Sequence, residues 1–415
     1  MRRMFCLAMF AAVTVFSPAQ TAPPAPANLP VDPPQREWKA AWITHPTAPL
    51  RDPIVLHFRR SLDLSAIPAT YVVRVSADNR FILWVNGKRV GDGPSRGDLG
   101  HWRYEKFDLT PYLRSGENLI TATVWNWGVL APVAQMSDRT AFLLESEATG
   151  DADISTPKGW KVEIEPGQTA LPRSTLSLIT YYASGPGEQL DASQYDWNWN
   201  APGKAGGSWV KPGEPMRDSA FPGTSRGHSA DVTGDNPWGL VPDYLPHMEY
   251  AETSPGERVR TRVEDGPTVP ENGAGFPITI QPNNQVIHLL FDRKTLTTAY
   301  PQLTVSGGKG AKIRLTYSEA LFDDKQHKGD RDSLDYTDAQ GAKHDRKALG
   351  LNDLYLPDGG QHRTFEPLWW RTWRYLDIEI TTGDEPLTLE SLKAQFTAYP
   401  FEERAKLETG QADLD

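Results

Sequence analysis

Cysteine is almost missing from this chain of 415 residues: the one present is Cys6. It lies in the apolar run 4–16, preceded by Met1-Arg2-Arg3 and followed by the small-residue site Ser17-Pro18-Ala19, the pattern of a secretory signal peptide cleaved after Ala19. The mature chain is therefore expected to be exported, to the periplasm or the extracellular space, with neither disulfides nor thiolate chemistry. A basic excess is lacking too. The 43 Lys and Arg stand against 53 Asp and Glu, a net charge of −10, which argues against a nucleic-acid partner because phosphate binding needs clustered cations to displace counterions. Beyond the leader no stretch approaches the ~20 apolar residues of a membrane span, so no membrane partner is expected. Phosphate-cradling glycine loops, nucleophile elbows and HExxH zinc motifs are absent. Helical periodicity is scarce as well: only 402–414 has helix-like composition, and about a dozen residues are marginal alone.

What the chain has is short alternating strands. Tyr71, Val73 and Val75 alternate with Val72, Arg74 and Ser76, and Phe81, Leu83 and Val85 with Ile82 and Trp84, as half-buried antiparallel strands require. Asn86-Gly87 suits a type I′ turn, whose two central residues need positive φ, so Lys88-Arg89-Val90 reads as the returning strand. Strands this short, punctuated by Gly, Pro, Asn and Asp, predict an all-β protein of two antiparallel β-sandwich modules. The expected order is a leader at 1–19, a Pro/Ala-rich linker at 20–37, a first sandwich at 38–250, a polar linker at 251–275 and a second sandwich at 276–400. A charged insertion, 322–353, interrupts the second sandwich, and 401–415 reads as the start of a missing or truncated helical domain.

Several groups of residues suggest carbohydrate, each with a structural alternative. Asp78-Asn79 lies at the mouth of the first hairpin, where side-chain oxygens can join backbone carbonyls as hard ligands for calcium, or can cap local backbone as an Asx turn. Asp92 and Asp98 can add ligands or bond sugar hydroxyls. Trp102, Tyr104, Trp125 and Trp127 offer flat faces to a pyranose, with His101 and Asn126 bonding hydroxyls, or they fill a sandwich core. Trp102, in a polar run with Arg103 and Glu105, is the better candidate for an exposed ring. Trp197, in Asp196-Trp197-Asn198-Trp199-Asn200, fits a binding loop or a loop pinned by its tryptophans. Trp369, Trp370 and Trp373 alternate with Arg371 and Arg374 on a strand that either packs a core or docks a partner. Glu319 and the insertion acids Asp323, Asp324, Asp330, Asp332 and Asp335 carry no spacing that selects a catalytic pair, so no catalytic residue is assigned.

The order of these patches resembles the amino-terminal β-sandwich region of bacterial alpha-L-rhamnosidases, glycoside hydrolase family 78, and more loosely galactose-binding-like jelly rolls. The resemblance runs from about Trp38 to the end of the chain. It is carried by 93–98 with 101–110, Gly187-Glu188 with Asp191-Ala192, 238–246, Tyr317-Ser318-Glu319-Ala320, Lys328-Gly329-Asp330-Arg331 and 369–375. It implies two jelly-roll modules, recognition of L-rhamnose-containing glycans, and calcium held by an acidic-amide pair where Asp78 and Asn79 stand. The family activity is hydrolysis of terminal alpha-L-rhamnose by inverting displacement, with acid and base on an (α/α) barrel. No counterpart of that barrel, nor of its Asp-Cys-Pro motif, is found in this sequence. The chain is accordingly expected to be the accessory, carbohydrate-recognising part of such an enzyme, inactive alone, with 369–373 as an exposed patch facing the barrel. A stand-alone carbohydrate-binding protein and a structural docking module are the alternatives.

Overall fold

The computed structural model describes residues 29–176, 183–203, 207–217, 225–231, 236–264, 268–270, 275–282, 285–402, 404–405 and 407–411; the expected leader lies outside them. Among the described residues there are strands, turns and short 3-10 segments but no α-helix, and none long and apolar enough to cross a membrane. The fold is all-β, as the alternation predicts. Asn86 and Gly87 both take positive φ, 52° and 76°, and Val85 pairs with Lys88, so the hairpin turns where the sequence places it.

Eight strands build most of the first sandwich: β1 (Ile54–Leu64), β2 (Val72–Asp78), β3 (Arg80–Val85), β4 (Lys88–Gly93), β5 (Trp102–Asp108), β6 (Gly116–Asn126), β7 (Ala141–Ser146) and β8 (Lys161–Ile164). One sheet runs β4-β3-β6-β1-β8; the facing sheet contains β5-β2-β7 and is extended past β5 by Gly239–Pro242 and His228–Ser229. Phe58, Val75, Phe81, Val124 and Phe142 meet between them. Period two sends Ile120, Ala122 and Val124 of β6 into this core and turns Thr121, Thr123 and Trp125 the other way. β2 departs from the half-buried pattern, since all seven of its residues are buried. Its far face is covered: Arg74 pairs with Asp32 and with Glu147 (2.6 Å), and Ser76 donates to the Arg103 carbonyl at 2.7 Å. Asp32, within the stretch read as a linker, also accepts from Tyr104 Oη (3.0 Å) and Lys106 Nζ (2.9 Å).

The second module is one large sheet organised by Val286–Gly307, which pairs with Arg371–Thr381 on one side and Leu387–Phe396 on the other. Two boundaries differ from the sequence reading. Ala251–Thr253 pairs with Leu387–Phe396, and Glu257–Val263 with Val286–Gly307, so most of 251–263 is sheet and not linker. Its polar composition misleads because Arg260 is buried, donating to the Leu334 carbonyl at 3.1 Å and facing Asp345 at 3.3 Å. The strands β9 (Gln168–Ala170) and β10 (Glu188–Asp191), early in the chain, also join this sheet, with β10 parallel to Leu351–Leu356. The insertion 322–353 forms a small hairpin, Asp335–Thr337 with Lys343–Asp345.

Candidate functional site

The outer face of the β4-β3-β6-β1-β8 sheet meets the second module. Val55, Ile82, Trp84 and Trp125 pack there with Ala170, Leu368 and Trp369. An aromatic side chain buries ~150–250 Å2, and at ~25 cal/mol per Å2 a fully buried indole such as Trp125 contributes up to about 4–6 kcal/mol of apolar burial, so this seam holds the modules together. Packing is incomplete at one end. A narrow cleft remains, lined by Trp125, Trp127, Trp369, Arg80 and Gln135, and it shares Gly185 and Pro186 with a second shallow depression beside Arg173.

The register of β3 against β6 sets Arg80 opposite Trp125. The Arg80 guanidinium lies 4.4 Å from the Trp369 ring centroid, donates from Nη1 to the Pro94 carbonyl (2.6 Å) and from Nη2 to Asp92 Oδ1 (3.1 Å). Its Nε is buried without a partner, as is Gln135 Oε1, while Gln135 Nε2 donates to the Met136 carbonyl at 3.3 Å. Leaving a buried polar group unsatisfied costs ~1–3 kcal/mol. Arg80 and Gln135, each with one such atom, line the cleft together with the indoles, which offer an apolar ring face.

The structure places the residues singled out in the sequence differently from one another. Asp78 and Asn79 do not fit a calcium ligand set. The buried Asp78 carboxylate accepts from Ser137 Oγ (2.7 Å), the Asp138 amide (2.7 Å), Asn79 Nδ2 (2.8 Å) and Trp238 Nε1 (3.0 Å). Donors thus occupy the lone pairs a cation would need, and among the described residues no three His, Cys, Asp or Glu converge as a metal shell. Burial raises the Asp78 carboxyl to about 6 despite these bonds. Trp102 is a correction too: it is buried, with Nε1 donating to the Ala77 carbonyl (3.2 Å), in a second core with Trp38, Trp42, Tyr104 and Trp238. The segment carrying Trp38 and Trp42, with Trp238, covers a strand face that the polar neighbours Arg103 and Glu105 had suggested was open.

His101 is exposed beside Asp98 (3.1 Å), forming a surface pair. Asp92 serves the cleft indirectly, holding Arg80 (3.1 Å) and Arg89 (2.6 Å). Asn126 is buried and shapes the turn after β6, donating to Ser137 Oγ (3.0 Å) and accepting from the Gly128 amide (2.8 Å). Trp197 is half-buried, bonded to the Ala192 carbonyl (3.0 Å) with the Arg363 guanidinium 4.5 Å from its ring. The expected exposed patch at 369–373 is not formed: Trp373 is buried, donating to the Pro255 carbonyl (3.1 Å), while Trp369 and Trp370 are half-buried in the seam region.

Two buried charge clusters escaped sequence reading. Arg371 joins Glu188 Oε1 (3.0 Å) and both oxygens of Asp353 (2.7 and 2.9 Å), and Tyr317 Oη donates to the same Asp353 (2.7 Å). Every partner is sealed from solvent, and the cluster ties β10 to the large sheet. On the outer face of β1, His57 lies 3.8 Å from Glu163 and 3.6 Å from Glu165, under the stacked ring of Trp199 at 3.9 Å. Burial pushes His57 down to about 3. It raises Glu165 to about 7 and, reinforced by Asp196 and Glu165, raises Glu163 to about 8. Such perturbed carboxyls often mark catalytic sites, but these are covered by Trp199 and Tyr195 and are 3% exposed.

No protein-family model matches the chain, and no curated protein matches it in sequence. Solved structures do. A family 78 rhamnosidase of a Bacillus species aligns with a TM-score of 0.66 at 14% identity, covering 89% of this chain and 56% of that one. An alpha-L-rhamnosidase from Dictyoglomus thermophilum gives 0.52 at 18% over 87% and 36%, and one from Aspergillus terreus 0.50 at 16% over 85% and 36%. What is shared is the fold. The chain spans little more than half, or less, of the length of these enzymes.

Proposed function

We propose that this chain is the carbohydrate-recognising β-sandwich portion of a secreted rhamnosidase-like glycoside hydrolase, acting on rhamnose-containing glycans. The observation that carries the reading is the seam cleft, where indoles of both modules border a buried donor and a buried acceptor that no protein group satisfies. The fold shared with rhamnosidases supports the substrate class. The chain's own residues supply binding and orientation; none is assigned to proton transfer or water activation. Calorimetric titration with rhamnose-containing oligosaccharides tests the proposal. Binding should be lost in Trp369→Ala and weakened in Gln135→Ala, with no release of rhamnose from an aryl rhamnoside. Binding untouched by both substitutions places the site elsewhere, and turnover by the purified chain places an active site on the sandwiches.

A docking role is favoured by a separate feature. Tyr244, Leu245 and Met248 are exposed on one segment, and Tyr399 and Phe401 on another, with the two joined by the Glu249 amide bonded to the Ala398 carbonyl at 2.8 Å. Exposed apolar clusters of this kind mark interaction surfaces. A helical catalytic domain is the occupant this reading names, and the strip replaces 369–373 as its contact. Self-association abolished by Phe401→Ser and Leu245→Ser would support it; a monodisperse monomer unaffected by both would remove it.

A further inference from the structure

We propose that the seam cleft selects an acidic sugar, one bearing a carboxylate or a sulfate ester. This rests on the carbohydrate reading above and adds the sign of the ligand's charge. Over the chain acids outnumber bases, 53 to 43, yet the charged side chains lining the two connected depressions are arginines, Arg80 and Arg173, with no carboxylate among the described lining residues. A third arginine stands beside them. Arg96 brings its guanidinium to 5.7 Å from the Trp369 ring that Arg80 already covers at 4.4 Å.

Of these arginines Arg80 has a carboxylate partner, Asp92, at 3.1 Å. Asp92 is shared between Arg80 and Arg89, and Glu366 lies 3.7 Å from Arg89. Glu105, the other carboxyl near Arg80, is driven well above its ordinary value by burial and by Asp243. Arg96 donates to the Val133 carbonyl at 3.2 Å and meets no carboxylate among the described residues. Burial and the repulsion from Arg80 both press it below its ordinary value. Two guanidiniums on one indole, that of Arg96 exposed, form an anion receptor: planar donor forks recognise carboxylate and sulfate oxygens, and the indole edge seats the ring that carries them.

The test is calorimetric titration of the full chain with a uronate oligosaccharide, its methyl ester, a sulfated oligosaccharide and a neutral one of equal length, at low and high salt. At least one acidic ligand should bind about tenfold more tightly than the ester and the neutral sugar, an advantage that shrinks as salt screens it. Which acidic ligand wins identifies the group. Arg96→Gln, on the surface, should erase the preference without lowering the melting temperature, and Arg173→Gln should reduce it. Equal affinity for acid and ester overturns the charge proposal while leaving carbohydrate recognition intact, as does a preference that survives both substitutions. Absence of binding by all four ligands overturns both readings together.

Discussion

Replacing Arg371 by Met should be among the most damaging single changes in the second module. The guanidinium makes contacts of 2.7, 2.9 and 3.0 Å to Asp353 and Glu188, whose side chains are completely buried. Methionine fills much of the volume but leaves two carboxyl groups without a counter-charge, and breaking a buried pair in this way costs ~3–5 kcal/mol. That is a factor of roughly a hundred to a few thousand in the unfolding equilibrium at 1.36 kcal/mol per decade. The sign of the pH dependence is also fixed. Burial already raises the Glu188 carboxyl and Arg371 opposes that rise, so without Arg371 the folded state holds Glu188 protonated more readily than the unfolded chain does and the loss grows as pH rises. Urea denaturation of wild type and variant near pH 5 and near pH 8 measures both quantities. A loss below ~1 kcal/mol, or one that deepens on acidification, would refute the account of this cluster.

Four further outcomes follow from the same geometry. Glu163 and Glu165 have folded values of about 8 and about 7 against an ordinary 4.5, so their contribution to stability is complete at acid pH and falls as pH rises through that window, while His57, held at about 3 against 6.5, works against stability as pH falls below 6.5. Denaturation across pH 6 to 9 should show a declining limb that Glu163→Gln flattens; an unchanged slope counts against the cluster. Asp78→Ala strands several donors and should destabilise by a few times the ~1–3 kcal/mol of one orphaned group, whereas calcium or a chelator should leave the wild-type melting temperature unmoved. Trp102→Ala should cost about 3–5 kcal/mol, as large-to-small core changes do; a loss within ~0.5 kcal/mol would mean an exposed ring. Mass spectrometry of the exported protein should find a chain lacking 1–19, and an intact Met1 would remove the signal-peptide reading.

The hairpin at Asn86-Gly87 was legible because its determinant is local: two residues that tolerate positive φ between alternating strands. The all-β class was legible for the same reason, period two repeated many times. Trp102 was misjudged because exposure depends on what comes to cover a strand, and the cover is supplied by Trp38 and Trp42 from one direction and Trp238 from another. Arg260 made a strand look like a linker, since its charge is satisfied by partners more than 70 positions away. Arg80 and Gln135 carry no motif at all. Their significance arises from atoms left without partners, which no spacing in a sequence records.

The seam explains why the domain division by sequence is less useful than the division by contact. β9 and β10 leave the first sandwich and enter the large sheet, where Glu188 is held by Arg371. The loop that follows sends Trp199 back onto His57 of β1 and Trp197 beneath Arg363 of the second module. The chain therefore crosses the seam more than once, and each crossing ends in a buried aromatic or ionic contact. A cleft walled by Trp125 and Trp127 from one module and Trp369 from the other lies on the same seam. A ligand bound there, as proposed, would draw on the free energy that docks the modules, because the same indoles would serve both.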